Sequence, residues 1–153
     1  MPEINKVAEN RVINGTFVKM WWDGDLVSEL HGFKAEIELD REEVQMAGAL
    51  SKGSKIKGMK GVGTFKIKKV FSRGLVDLFN SYKAGLDPEA LIVVSVADPD
   101  AYGKETIALS GVKFDKLTLV DGELNTLMER ELSLTFRVES TEVFDSIVST
   151  DSV

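Results

Sequence analysis

Apolar and polar residues alternate with a period of two through several stretches of this chain. Phe33, Ala35, Ile37 and Leu39 fall on one side of an extended backbone, with Lys34, Glu36, Glu38 and Asp40 on the other. That pattern predicts a strand with one buried and one wet face. Glu131 to Glu139 alternates most cleanly, with Leu132, Leu134, Phe136 and Val138 against Glu131, Ser133, Thr135, Arg137 and Glu139. Gly63 to Val70 repeats the pattern, Phe65 and Ile67 opposing Thr64, Lys66 and Lys68. Gly15 to Trp22 reads as a strand that turns at Asp23-Gly24 and returns from Leu26 as a hairpin. Ala90 to Ala97, Glu105 to Leu109 and Val112 to Leu119 add further strands, with turns at Asp98-Pro99-Asp100 and Asp121-Gly122.

A helical period occurs once. Leu75, Val76, Leu78, Phe79 and Tyr82 form a stripe between Arg73 and Ala84, with Ser72 as N-cap, Gly85 at the C-terminal end and Pro88 barring continuation. Residues 46–62 carry glycines among lysines and too little apolar surface to fold alone, so they predict a long, mobile basic loop. Residues 1–14 read as an N-terminal arm. Residues 140–153 read as a C-terminal tail with Val143, Phe144, Ile147 and Val148 as docking contacts. About seven strands and one helix in 153 residues predict a single, mainly β domain. Its expected architecture is an antiparallel β-sandwich or open barrel with one packed α-helix.

Charge changes this picture. Residues 1–43 carry a net −5 and residues 77–153 a net −9, whereas residues 44–76 hold eight basic side chains and no acidic one. A cationic segment in an anionic chain complements a second copy of itself, which points to self-assembly before catalysis. The absence of cysteine excludes disulfides and thiolate metal sites. The N-terminal residues lack an apolar signal core, and the longest apolar run, Ala90 to Val94, is too short to span a bilayer. These features predict a chain that is soluble and intracellular when made.

The residues that carry chemistry do not assemble into a reaction. His31 is the single histidine and lies outside any strand–turn–helix nucleophile setting. Asp98-Pro99-Asp100-Ala101-Tyr102-Gly103 begins like a calcium loop, then places Tyr102 at position five and Leu109 at position twelve. Gly58 to Gly63 precedes a strand instead of a helix N-terminus, so it does not match a phosphate cradle. No catalytic residue, cofactor or metal is expected. The lysine run raises the question of nucleic acid, but a pI near 4.9 and the scarcity of interleaved aromatics argue against a dedicated binder. Trp21 and Trp22, adjacent on a strand, point to opposite faces.

The order of these elements resembles the tail tube (core) proteins of contractile-tailed phages, PBSX-like prophages and R-type phage-tail-like bacteriocins. The resemblance runs from about Asn14 to Phe144. It rests on Ile13-Asn14-Gly15 and the Trp22-Asp23-Gly24 turn, then on Phe33 to Glu38 continuing to Glu43 to Gly48. Lys60 to Lys66, the helix from Leu75 to Tyr82, and Leu132 to Phe136 complete it.

That resemblance implies a structural, non-enzymatic subunit. It would form hexameric rings stacked into a hollow tube, whose inner β-barrel is built from the subunits' hairpins. Implied partners are further copies of the chain, a sheath, and baseplate and tail-terminator proteins. DNA is implied only as transient cargo of an intact phage, and no stable membrane association is implied. The implied location is the cytoplasm of the producing bacterium during assembly, then the virion tail or a released bacteriocin particle. On this reading Glu36, Glu38, Asp40, Thr64, Lys66, Lys68, Glu131, Ser133, Thr135, Arg137 and Glu139 line the lumen, and Lys52, Lys55, Lys57 and Lys60 make contacts between rings. The alternative is a small β-domain that binds nucleic acid or another ligand through its lysine-rich loop.

Overall fold

The structure, a computed structural model, describes residues 9–147. Its strands are β1 (Val18–Trp22), β2 (Asp25–Leu26), β3 (Leu30–Gln45), β4 (Lys52–Lys68), β5 (Ala90–Val96), β6 (Glu105–Phe114), β7 (Glu129–Phe136) and β8 (Glu142–Asp145); α1 (Leu75–Lys83) lies between β4 and β5. Every strand pairing is antiparallel, in the order β2-β1-β5-β6-β7-β4-β3, with β8 added to β6. The mainly β, antiparallel architecture with one α-helix is therefore as the alternation predicts.

The sheet folds back on itself. β1 and β4 stand four positions apart in strand order, about 19 Å in a flat sheet. Yet the rings of Trp22 on β1 and Phe65 on β4 meet edge to face at 5.8 Å. The fold line is β6. Its first half pairs with β5, and after Gly111, where φ is +64°, Lys113 and Phe114 pair with Thr135 and Leu134 of β7. The enclosed core gathers Met20, Trp22, Phe65, Ile67, Leu78, Ile92, Leu109, Val112, Leu132, Leu134 and Phe136. Asp23 and Gly24 both have positive φ, the conformation a two-residue hairpin between twisted strands requires.

Four expectations are corrected. First, the basic segment is a strand and not a loop: β4 starts at Lys52 and pairs with β3 back to Leu30, with two register shifts, leaving only residues 46–51 as the turn. A strand does not need to bury both faces when a neighbour satisfies its backbone, and the glycines have a packing reason. A Cβ on Gly61 would sit 2.5 Å from the Phe136 ring, so only glycine lets β7 cover β4 there. Second, the two predicted strands around Gly111 are one bent strand that ends at Phe114.

Third, the last long strand stops at Phe136. The Arg137 N–H donates to Ser110 O, and Val138–Ser140 form a 3-10 turn that also takes Glu139 off the strand face. Fourth, Ser72 is not the helix cap. Gly74 is, with φ +66° and its α-carbon held so close to Trp22 that a Cβ would lie 2.8 Å from the indole. Of the predicted apolar stripe, Leu78 is buried and Leu75 and Tyr82 are half-buried, while Val76 and Phe79 face outward.

At the chain ends, the buried Asp98 carboxylate accepts the backbone N–H of Asn14 at 2.8 Å and of Asp100 at 2.9 Å, tying the arm to the β5–β6 loop. In the tail, β8 pairs with β6, Val143 and Phe144 are exposed and Ile147 is half-buried. Val148 and arm residues 1–8 lie outside the described residues.

A charged cluster fastens the base of the β3–β4 hairpin. The Glu29 side chain, 5% exposed, receives Nε and Nη2 of Arg73, the latter at 3.1 Å. Arg130, buried on β7, donates Nη1 to the Arg73 carbonyl at 2.7 Å. Burial pushes the Glu29 carboxyl up, but the Arg73 hydrogen bonds and the positive charges of Arg73 and Arg130 together hold it below its ordinary value.

Gly61→Val should lower stability by about 1–3 kcal/mol in urea titration. Gly58→Ala, where a Cβ meets only ordinary contact at 3.7 Å from Asp40 Cβ, should change it by less than about 0.5 kcal/mol. Because the folded pKa of Glu29 is depressed, its contribution is complete above the unfolded carboxylate pKa and is lost as pH falls through the folded value. Stability measured against pH should therefore fall less steeply on the acid side in Glu29→Gln than in the parent.

Candidate assembly surface

The β3–β4 hairpin reaches well past the core. β3 has 16 residues and β4 has 17, but β7 covers β4 only from Gly61 to Lys68. Among the described residues the hairpin has no second layer beyond that point, and the outer edge of β3 has no strand partner along its length. Backbone donors and acceptors on such an edge are a template for another chain.

Its two faces differ. On the polar face the register sets Lys34 against Thr64, Glu36 against Val62, Glu38 against Lys60, and Glu42 against Lys55. β7 extends the same face, with Thr135 opposite Val62, Ser133 opposite Thr64, Glu131 opposite Lys66 and Glu129 opposite Lys68. Of the predicted lumen residues, the fold therefore brings Glu36, Glu38, Asp40, Lys66, Lys68, Glu131 and Thr135 onto one surface, together with Thr64 and Ser133. Arg137 leaves it. Beyond the end of β7, its guanidinium donates to Glu89 of the α1–β5 loop at 3.0 Å.

The lysines of β4 are divided between settings. Lys55 and Lys60 belong to the polar face. Lys57 occupies the irregularity where the register shifts between Asp40 and Arg41, 3.9 Å from the Asp40 carboxylate. Lys52, beside the turn, pairs with Glu43 at 3.7 Å. The cationic segment thus finds part of its anionic complement within its own hairpin, through exposed pairs of small energy. Of the β4 lysines, Lys66 lines a shallow hollow with His31, Phe33 and Lys34. The pocket at the first turn of α1, walled by Trp22, Arg73, Leu78 and Phe114, contains none of the β4 lysines.

The opposite face of the distal hairpin is apolar and uncovered. Ala35, Ile37 and Leu39 continue the row begun by the packed Phe33, with Met59 opposite Leu39 and Ile56 opposite Arg41. Leu39 is 43% and Met59 52% exposed. The alternation of residues 33–40 correctly marks this face as apolar, but no described residue covers it past Phe33. A second apolar surface, the β6–β7 loop with Leu119, Val120, Leu124 and Leu127 exposed, is missing from the sequence reading because these residues follow no period.

No catalytic or metal geometry is formed among the described residues. His31 is bulged out of β3 and exposed, with Nε2 3.8 Å from Glu129. Asp98 spends its carboxylate on backbone amides, and no group of three or more metal-ligating side chains occurs among the described residues.

The model of the family described as phage tail tube protein matches residues 5–144. The chain belongs to the phage tail tube protein family. As a tail tube protein it has a structural role, not an enzymatic one. It is 28% identical over 145 residues to the uncharacterized protein YqbM of Bacillus subtilis (strain 168), covering 94% of this chain and 97% of that one. It is likewise 28% identical over 131 residues to the phage-like element PBSX protein XkdM of the same organism, covering 84% and 88%. Among solved structures, a chain of the anti-feeding prophage tube-terminating cap matches with a TM-score of 0.70 at 11% identity, over 92% of this chain and 96% of that one. A chain of the extracellular contractile injection system PVC sheath–tube complex, extended state, matches with 0.66 at 14% identity, over 94% and 100%. At these identities the structural matches show a shared fold.

The cross-strand charges of the tail tube protein can be tested in the hairpin. Glu38→Lys or Lys60→Glu alone should each cost about 0.2–1 kcal/mol by placing like charges opposite each other, and the double exchange should recover most of it. A double-mutant cycle in urea measures the coupling.

Proposed function

We propose that this tail tube subunit assembles into hexameric rings that stack as the hollow inner tube of a contractile tail. The observation that carries the reading is the hairpin: a long strand with an open edge, polar on one face and uncovered and apolar on the other. A closed ring removes the open edge by pairing it with a neighbouring subunit. It buries Ile37, Leu39, Ile56 and Met59 against that neighbour and turns the polar face inward. Glu36, Glu38, Asp40, Lys66, Lys68, Glu131 and Thr135 then line the lumen in rows of mixed sign, with Arg137 at their edge.

The partners on this reading are a sheath that drives the tube through the target envelope, a baseplate, and a tail terminator. Structures with the same fold come from a sheath–tube complex, a tube-terminating cap and a baseplate, which supports such partners. DNA passes through the lumen only if the particle is an intact phage. Assembly takes place in the cytoplasm of the producing bacterium. No described helix is long and apolar enough to cross a membrane. Lys52, Lys55, Lys57 and Lys60 contribute to contacts between rings, with Lys52 nearest the turn and Lys60 deepest in the polar face. Binding of nucleic acid or a ligand through the lysines is the weaker reading, because they are spread over a strand and set against acids.

Negative-stain microscopy of the purified protein at rising concentration, alongside size-exclusion chromatography, should show rings or tubes. A species that stays monomeric at all concentrations and in the presence of preformed tail baseplates would refute the assembly reading. Reversing Lys52, Lys55, Lys57 and Lys60 to glutamate should abolish tube growth while far-UV circular dichroism retains the β signature. Assembly of the parent should also weaken as salt is raised, to the extent that exposed charges contribute.

A further inference from the structure

The register of the inner sheet places two unpartnered surfaces at opposite ends of the subunit. The β3–β4 turn, residues 46–51, lies beyond Lys52 at one end of β4. The β6–β7 loop, residues 115–128, lies at the other end, where Glu129 pairs with Lys68 and the Met128 carbonyl accepts the Lys69 N–H. The two are separated by the length of β4, ~55 Å for 17 extended residues.

Both ends expose apolar side chains that no described residue covers. Met46 and Leu50 project from the turn, Leu50 being fully exposed. Leu119, Val120, Leu124 and Leu127 project from the loop, and Leu124 is 92% exposed. Isolated exposed leucines are ordinary, but groups of them at the tip of an element mark an interaction site. The charges flanking the two groups are opposite. At the turn end Lys52, Lys55, Lys57 and Arg41 exceed Asp40, Glu42 and Glu43 by one charge, whereas around the loop Asp115, Asp121, Glu123 and Glu129 exceed Lys68, Lys69 and Lys116 by one.

We infer that the β6–β7 loop of one subunit receives the β3–β4 turn of a second copy of the chain, Met46 and Leu50 packing among Leu119, Val120, Leu124 and Leu127 inside a rim of lysine–carboxylate pairs. The occupant is another copy because one chain presents both halves of the match, apolar to apolar and basic to acidic. The two halves are too far apart to meet within a subunit. The inference rests on the tube reading and assigns the receiving surface for its contact between rings.

The absence of cysteine from the chain permits a direct test. Leu50→Cys and Leu124→Cys replace exposed side chains, and circular dichroism checks that each variant folds as the parent does. The two variants are mixed, allowed to assemble, and treated with a short bismaleimide. The expected result is a covalent dimer in the mixture that exceeds the dimer formed by either variant alone and disappears when assembly is prevented. Tubes that form normally but give no cross-link beyond the single-variant controls would overturn this inference and leave the tube reading standing. A parent protein that forms neither rings nor tubes, even with baseplates present, would overturn both.

Discussion

An unpaired strand edge governs this structure. β3 satisfies half of its backbone hydrogen-bonding capacity through β4, and its other edge has no strand partner among the described residues. Isolated domains usually blunt such an edge with a short strand, a proline or a covering element. Here the edge strand is among the longest in the molecule and has no proline. The hairpin also leaves its apolar side uncovered once it passes the end of β7. A monomer with this geometry has its edge and its apolar face unsatisfied together, and both are met by the same event, the arrival of a neighbour.

The rest of the subunit holds that hairpin at a fixed angle. Trp22, Phe65 and Phe114 form the junction where the curled sheet closes on itself. The Glu29–Arg73–Arg130 cluster locks the entry of β3 to the segment before α1 and to β7. Buried charges of this kind contribute little net stability relative to apolar packing, but removing one partner strands the others. Their contribution is geometric. They define where the base of the hairpin points, and that direction is what a repeating assembly must reproduce from copy to copy.

The strands were legible in the sequence because alternation survives translation into structure wherever a strand packs on one side, as at Phe65 and Ile67 or Leu132 to Phe136. The glycine-rich half of β4 was misread because its burial comes from other elements. Gly61 and Gly63 look like loop residues until Phe136 and Leu134 are seen lying against them. The end of β7 after Phe136 left no signal, since Val138–Ser140 turn away as a 3-10 helix while the Arg137 N–H still bonds to Ser110 of β6. The alternation therefore marked residues that share one polar face, Glu36 and Glu38 with Lys66, Glu131 and Thr135. Its lysines were identified as complementary to acids, but part of that complement lies within the same hairpin. The exposed leucines of the β6–β7 loop left no sequence signal because a surface completed by another copy need not follow the period of its own element.

The opposite placement of the β3–β4 turn and the β6–β7 loop has a consequence for growth. A contact between unlike surfaces is head-to-tail, and repeating it along an axis gives a stack with a direction. The last subunits at one end would offer turns, and those at the other end loops. A particle built this way cannot use one kind of protein both to start and to stop its tube, because the nucleating surface and the terminating surface must recognise different halves of the same joint.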